Sequence, residues 1–492
     1  MNVAVFSTHV LWPSHYETDL EILSGLLDAK NKVFHVTCNK ELPLCELVLE
    51  QSLHAKRPYD AILADCCGRC VRKLQTGRSL LSGTTQTVPL ISRRRLEQAP
   101  TLSSFYSRSH DNLKSLYIDN YDVGWSLLST LVSFTRDPFL DLRQYATELE
   151  TLYRTCHAVY YSTLDTIGTS ALDEGYVFNG RFSYTKAVIK AFTRAGLTCH
   201  THERGGSIDR YSVFTNHTIH DIDMFTTLVH QAWDANADEF EKTSIGSQFF
   251  TDRRSGNPGT WKSFTTDQID GALPAGWDDS HYNVVLFTSS EDEFVGISPQ
   301  WDGPIYASQL DGIRDLAGSF LSSSDPDLRL YVRIHPNAAT LSDSYTHALM
   351  QLVNSKVIVI PALSPISSYD LLDKADKVVT FGSTMAIESL YWGKPSILLG
   401  KSLYYGLKGP HKPQSHTEAM RLICDRQVHT ATDNDAIKCG YFLKSRGTPY
   451  KHYTAVDFQT GLFEGVNLDA LSEPLTVRRI LDRIRRHFTK RP

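Results

Sequence analysis

No apolar run in the 492 residues reaches the ~18 needed to span a bilayer. The start, MNVAVFSTHVLWPSHYETDLEI, lacks both a basic region ahead of its apolar residues and a small-residue cleavage site, so no secretory leader is expected. Positive charge is not in excess: Lys+Arg 50 against Asp+Glu 55 leaves a net charge of −5, which rules out the broad basic field of a nucleic-acid binder. Any anionic ligand must be held locally. Cysteine is sparse and odd in number, nine over the whole chain, unlike a secreted disulfide scaffold, and reduced thiols in a cytoplasmic protein are expected. Fixed-period repeats, low-complexity tracts and a DxD-like motif with a clear metal role are all missing.

What is present is an ordinary folded composition, 41% hydrophobic and 21% charged, at a length that predicts two to four domains. NVAVFS (2–7) reads as a strand, and Leu20, Leu23, Leu26 and Leu27 then fall at helical spacing. KVFHVTC and YDAILADC read as further strands, followed by mixed helical spacing over 125–162, the helix RFSYTKAVIKAFTRAGL ended by Gly196, and the strand LTCHTHE. A Gly, Pro, Ser and Asp-rich stretch between about 240 and 281 suggests a domain junction near 275. Beyond it YNVVLFTSS, LRLYVRIHP, KVIVIP, KVVTFG and PSILLG alternate with helical segments. The expected fold is α/β, two Rossmann-like domains facing a cleft with a C-terminal helix, the GT-B architecture of glycosyltransferases and some sugar-nucleotide epimerases. The expected domains are 1–275 on the acceptor side, 276–415 for the nucleotide-sugar, and 416–492 as a C-terminal extension.

Within KADKVVTFGSTMAIESLYWGKPSILLG (374–400), a strand ends at Phe381, Gly382 permits a tight turn, and Ser383 and Thr384 open a helix. Hydroxyls at a helix start suit a phosphate, although Ser383 is equally well placed as an N-cap. Glu388, one turn on, can reach a ribose hydroxyl or a base. LRLYVRIHPNAAT delivers Arg333, His335 and Pro336 to the C-terminal end of a strand, the edge where open α/β sheets bind ligands. YNVVLFTSSEDEF delivers Ser289, Ser290 and Glu291 to the same edge, where a solvated acidic loop is the alternative, and Trp301 and Gln309 flank the next turn.

The pair RIHPN and FGSTMAIE resembles the nucleotide-binding half of the capsule polysaccharide biosynthesis family, over about 280–405. The same pair is similar to bacterial sialyltransferases and Kdo transferases, which use CMP-activated sugars, and teichoic-acid glycerophosphate polymerases share it. The resemblance implies that His335 contacts the nucleotide and that Ser383 and Thr384 hold a phosphate. It implies a metal-independent glycosyltransferase with no cofactor beyond its nucleotide-sugar donor, acting on a glycan or lipid-linked acceptor of a bacterial surface polysaccharide. An epimerase of the same fold and a non-catalytic glycan-binding subunit are the alternatives.

In the first half, Asn179-Gly180-Arg181 can present a carboxamide and a guanidinium to a sugar or carboxylate, and Arg204, next to Glu203, is a further substrate-binding candidate. Glu203, at a strand end and followed by two glycines, is the expected base or nucleophile, with an Arg-Glu pair supporting a turn as the alternative. The family resembles this chain in having an Asn-Gly-Arg element and a later Glu. His15, Glu17 and Asp19 follow the first strand as further acceptor-side or catalytic candidates, and Glu291 joins them. Cys38, Cys45, Cys67 and Cys70 are spaced C-x6-C-x21-C-x2-C, which admits either a structural zinc or simple burial. The tail LTVRRILDRIRRHFTKRP carries one apolar stripe and seven basic residues, expected to pack on the protein or to dock on an anionic membrane surface.

Overall fold

A computed structural model describes residues 1–257, 268–340 and 343–472. The basic tail lies outside the described residues. The chain divides into two compact units, one comprising 1–135, 140–219 and the segment from 447 onward, the other 136–139 and 220–446. Among the described residues no helix is long and apolar enough to cross a membrane.

The first unit is built on a seven-stranded sheet. Its strands include β1 (Asn2–Ser7), β2 (Lys32–Thr37), β3 (Gln86–Pro89), β4 (Glu174–Phe178), β5 (Thr198–Arg204) and β6 (Arg210–Thr215). β3, β2, β1, β4 and β5 run parallel in that spatial order, and β6 is antiparallel at the far side of β5. Helices α1 (His15–Asp28), α2 (Glu46–Ala55), α3 (Tyr59–Ser79), α4 (Val123–Thr135), α5 (Ala146–Ser170) and α6 (Ser183–Ala195) accompany it. α6 ends at Gly196, whose φ of +69° satisfies the last carbonyls, as the sequence led us to expect.

YDAILADC is not a strand but the first turns of α3. Ile62 and Cys66 stand four residues apart on its buried face, and a short apolar run does not distinguish the two periods until the helix continues to Ser79. The third parallel strand is instead Gln86–Pro89, mostly exposed and closed by a proline.

The second unit is a five-stranded, all-parallel sheet of β7 (Tyr282–Phe287), β8 (Leu328–Arg333), β9 (Val357–Ile360), β10 (Lys377–Thr380) and β11 (Ser396–Leu398), ordered β11-β10-β7-β8-β9. The near-continuous apolar strands reflect burial on both faces. The sequence boundary near 275 falls inside this unit, and the contacts divide the chain at 219/220. Helices α7 (Ile222–Ala235) and α8 (Glu239–Arg254) supply Phe225, Val229, Phe249 and Phe250 to a core shared with Ala386, Ile387 and Phe442, so the Gly/Pro-rich stretch is a loop of the second unit. The remaining helices named here are α9 (Gln309–Ser322), α10 (Ser368–Lys374), α11 (Met385–Tyr391) and α12 (Ala436–Ser445). The expected extension 416–492 is likewise divided: α12 packs in the second unit, whereas β12 (Thr448–Pro449) joins β6, and Tyr453, Phe463 and Leu468 enter the core of the first unit.

Candidate functional site

In the second unit, β7, β8 and β10 run parallel and adjacent, so the residues following them gather at one sheet edge. His335 is fixed from two sides. Its amide donates to Thr288 Oγ1 at 2.8 Å, and its Nδ1 accepts the Asn337 amide at 3.1 Å. Burial, reinforced by Arg253, Arg333 and Arg136, pushes the imidazole down to about 4. The ring is therefore neutral at physiological pH, with its proton on Nε2. Pro336 ends the strand and opens a short 3-10 turn, Pro336–Thr340.

Across the edge, Gly382 holds φ +151°, and a Cβ there would stand 2.6 Å from the Lys401 carbonyl. Only glycine allows this approach. Ser383 Oγ accepts the Met385 amide at 3.3 Å, although the N-cap position is taken by Thr384, and both Ser383 and Thr384 remain partly exposed. Among the described residues the buried Ser289 hydroxyl has no hydrogen-bond partner, and it lies 3.5 Å from where a Gly382 Cβ would be. Ser290 Oγ donates to Asp292 Oδ1 at 2.7 Å.

Two arginines that the sequence did not single out complete this edge. Arg253, in the last turn of α8, donates from Nη2 to Thr384 Oγ1 at 3.1 Å and from Nε to Glu388 Oε1 at 3.0 Å. Arg136 lies 3.2 Å from Asp292 Oδ2 and donates to the Asn337 carbonyl at 3.1 Å. Asn337 in turn donates from Nδ2 to Glu293 Oε1 at 2.9 Å. His335, Asn337, Ser383, Thr384, Arg253 and Arg136 are all partly exposed. Hydroxyls, a neutral imidazole donor and guanidinium groups are the chemistry that binds phosphate.

Four expected contacts in this unit are supports instead. Glu388 is fully buried, accepting from Arg253 and from the Tyr369 hydroxyl at 2.6 Å, and so orients the arginine rather than reaching a ribose. Arg333 is buried and donates to the carbonyls of Pro361 and Ser364, bracing the loop after β9. Gln309 bonds the Ser289 backbone through both ends of its amide and also Tyr345, so no part of that amide is left for a sugar. Glu291 accepts the Gln309 backbone amide at 2.8 Å while its other oxygen is buried with no partner among the described residues, and burial pushes its carboxyl up to about 7. One of its oxygens thus serves as a helix-start acceptor. Trp301 is buried too, its indole donating to the His220 carbonyl.

In the first unit, the ends of β1, β4 and β5 form a corresponding edge. Asn179 has a left-handed φ of +57° and shares its amide between the Arg181 backbone N–H (3.2 Å) and Glu203 Oε2 (2.7 Å). Its carboxamide orients the glutamate instead of facing a ligand. Glu203 Oε1 accepts the Arg204 amide at 3.0 Å, and the side chain stays 17% exposed. His15 Nδ1 stands 3.9 Å from that oxygen and its ring lies over Phe178, 3.9 Å between centroids. Burial, then the Arg204 charge, holds His15 well below its ordinary 6.5, so this contact is not an ion pair.

Glu17 and Asp19 are buried and paired. Glu17 meets Lys73 at 2.8 Å, and Lys73 also meets Asp469. Asp19 Oδ1 is 2.8 Å from Nε2 of the fully buried His202, a residue the sequence reading passed over. Neither carboxylate is presented at the surface. Arg181 donates to Ser133 Oγ at 2.6 Å, and Arg204 donates to Ser14 Oγ and the Pro13 carbonyl while covering the Phe458 ring. Glu203 is thus the acidic candidate whose environment leaves it accessible.

Among the described residues no three His, Cys, Asp or Glu side chains converge as metal ligands. Cys38, Cys45, Cys67 and Cys70, with Cys66, instead line an apolar cavity, and burial pushes Cys70 up to about 12 and raises Cys45, Cys66 and Cys67. For Cys45, Cys67 and Cys70 burial disfavours the thiolate form that would bind zinc.

Residues 300–432 match the family model described as capsule polysaccharide biosynthesis protein. The matched segment contains His335, Ser383 and Thr384 and part of the parallel sheet. No curated protein matches the chain. Among solved structures, the chain is similar to two Thermosulfurimonas dismutans KpsC structures, a beta Kdo 2,4 transferase (14% identity, 61% of this chain and 88% of that one, TM-score 0.33) and a beta Kdo 2,7 transferase (11%, 63% and 87%, TM-score 0.35). A putative UDP-N-acetylglucosamine 2-epimerase from Listeria monocytogenes is similar over 100% of this chain and 97% of its own, at 10% identity and TM-score 0.24.

Proposed function

We propose that this protein is a glycosyltransferase of capsule polysaccharide assembly that moves a sugar from a nucleotide donor to a growing glycan. The observation that supports this reading most is the cluster at the second sheet edge, where His335, Ser383 and Thr384, within the segment matched by the capsule family, meet Arg253 and Arg136 from outside it. In this reading the donor phosphate lies against Thr384, Ser383 and the Arg253 guanidinium, and His335 donates from Nε2. These groups offset the charge that develops on the departing nucleotide, as preorganised donors do. Glu203, held by Asn179 and the Arg204 amide, acts on the acceptor hydroxyl if the reaction inverts and on the anomeric carbon if it retains. The donor is proposed to be a CMP-linked, Kdo-like sugar, on the resemblance of RIHPN and FGSTMAIE to enzymes using such donors, and its charge is met by side chains without a metal.

A panel of CMP-, UDP- and GDP-sugars, each incubated with and without a glycan acceptor and with EDTA, tests the reading. Nucleotide release that needs acceptor and survives EDTA is expected, with CMP binding in preference to UDP. Conversion of the donor without acceptor would make the protein an epimerase, and binding without release a non-catalytic subunit. Activity lost in EDTA and restored by a divalent cation would refute metal independence.

A further inference from the structure

His15 and Glu203 leave between them a gap of definite size. His15 Nδ1 and Glu203 Oε1 stand 3.9 Å apart, too far for a direct hydrogen bond, and the two side chains keep 11% and 17% exposure. Both are fixed at one sheet edge, His15 at the start of α1 and Glu203 near the end of β5. The imidazole lies over Phe178 and tilts against Trp12, 6.2 Å between centroids. The carboxylate is held at both oxygens, by Asn179 Nδ2 on Oε2 and by the Arg204 amide on Oε1. A carboxylate oxygen offers two acceptor positions, so Oε1 keeps one. Among the described residues neither ring nitrogen of His15 has a hydrogen-bond partner.

An oxygen about 2.8 Å from each atom bridges this gap with an angle of about 90° at the oxygen, near that between the O–H bond and a lone pair of a hydroxyl. One hydroxyl can therefore donate to Glu203 Oε1 and accept from His15 Nδ1 at once. The charge of the ring decides whether this helps. A cationic imidazole would pair with Glu203 and weaken it as a base, whereas the neutral ring that burial and Arg204 enforce donates and leaves the carboxylate its basicity.

We propose that His15 is a further catalytic residue, donating from Nδ1 to the acceptor hydroxyl while Glu203 Oε1 takes that hydroxyl's proton. The inference rests on the transferase reading, with Glu203 as its base. In this step the acceptor O–H bond breaks, its proton passes to Glu203, and the oxygen forms the new bond to the anomeric carbon. The bond from that carbon to the donor phosphate breaks, and its electron pair leaves on the nucleotide. The Nδ1 proton stays on His15, which aims the attacking lone pair.

Three variants of the full chain test it. The side-chain amide nitrogen of Asn takes the place of Nδ1 and that of Gln the place of Nε2, while Leu fills the space without a donor. Transfer is followed by nucleotide release with the donor and acceptor that the wild type turns over in the sugar panel. His15→Leu is expected to lower kcat about 10- to 100-fold at unchanged CMP or UDP affinity, His15→Asn to recover most of that loss, and His15→Gln little. Should His15→Leu melt well below wild type, the Asn and Gln variants, alike in polarity, decide alone. NMR of the product should show an inverted anomeric centre. Wild-type kcat in His15→Leu, equal kcat in the Asn and Gln variants, or a retained configuration would each overturn the assignment. A wild type that transfers while its His15 variants match it loses only this role for His15. A wild type that releases no nucleotide to any acceptor loses the transferase reading, and the assignment with it.

Discussion

Replacing Arg253 by Met separates what holds the second sheet edge together from what binds the donor. Arg253 is 28% exposed in its side chain, whereas its partner Glu388 is 0% exposed and retains one other donor, the Tyr369 hydroxyl. Removing the guanidinium leaves a buried carboxylate without its counter-charge, a change that costs about 3–5 kcal/mol. At roughly 2–4 °C per kcal/mol for a unit of this size, the melting temperature should fall by about 6–20 °C. Met is a good helix former, so α8 itself is not the casualty. Nucleotide binding should weaken independently, because one hydrogen bond from a charged group to phosphate is worth about 1.5–3 kcal/mol, or roughly 10- to 150-fold in Kd. The double variant Arg253→Met/Glu388→Gln removes both charges and should recover most of the stability while recovering none of the binding. Scanning fluorimetry and calorimetric titration with CMP and UDP read the two effects. Wild-type affinity in Arg253→Met would show that the arginine does not touch phosphate, and a double variant as unstable as the single one would show that Glu388 is not what it neutralises.

Glu203→Gln should keep nucleotide affinity and reduce transfer by roughly 100- to 10,000-fold, since the amide oxygen can still accept from Asn179 Nδ2 while the Arg204 contact and the basic carboxylate are lost; turnover near wild type in a donor-release assay would remove Glu203 from the reaction. Gly382→Ala forces a Cβ against the Lys401 carbonyl at a φ that L-residues avoid, and should cost about 1–3 kcal/mol and weaken nucleotide binding, read by melting and titration. His335→Ala should weaken nucleotide binding far more than it lowers the melting temperature, and unchanged affinity would displace the donor pocket. Glu291→Gln tests the buried carboxyl. Because its folded value is raised from 4.5 to about 7, the favourable protonated form is lost as pH rises through that window, a penalty of about 3 kcal/mol above it. The variant should therefore gain stability over wild type at pH 8 and little at pH 4, and equal melting curves at both would refute the burial argument.

The parallel sheet of the second unit was legible because each strand is a short apolar run closed by a turn signal, and burial on both faces produces such runs. YDAILADC misled for the same reason, since over eight residues a buried helix and a buried strand look alike, and the true edge strand Gln86–Pro89 has too little apolar character to be noticed. The domain boundary was misplaced because a Gly/Pro-rich loop says where the chain is irregular, not which core its neighbours enter. Only the packing of Phe225, Phe249 and Phe250 on α11 and α12 assigns α7 and α8 to the second unit.

The same distinction governs the site. Positions at strand ends could be read in order, so His335, Ser383 and Glu203 were placed at sheet edges from local pattern alone. Whether a polar residue at such an end faces outward depends on partners far away in sequence. Glu388, Arg333 and Gln309 have the side chains of ligand-binding residues, yet each satisfies a buried neighbour, and only the neighbour reveals it. The reverse holds for Arg253. It lies 131 residues before Thr384, in a helix whose DRR ending reads as basic residues complementing a helix C-terminus. That reading is correct for the backbone and silent on the side chain, which reaches Thr384 because Glu388 holds it there. A buried carboxylate with no local cation, once its helix is known, is therefore the signal that points to a distant arginine at the second sheet edge.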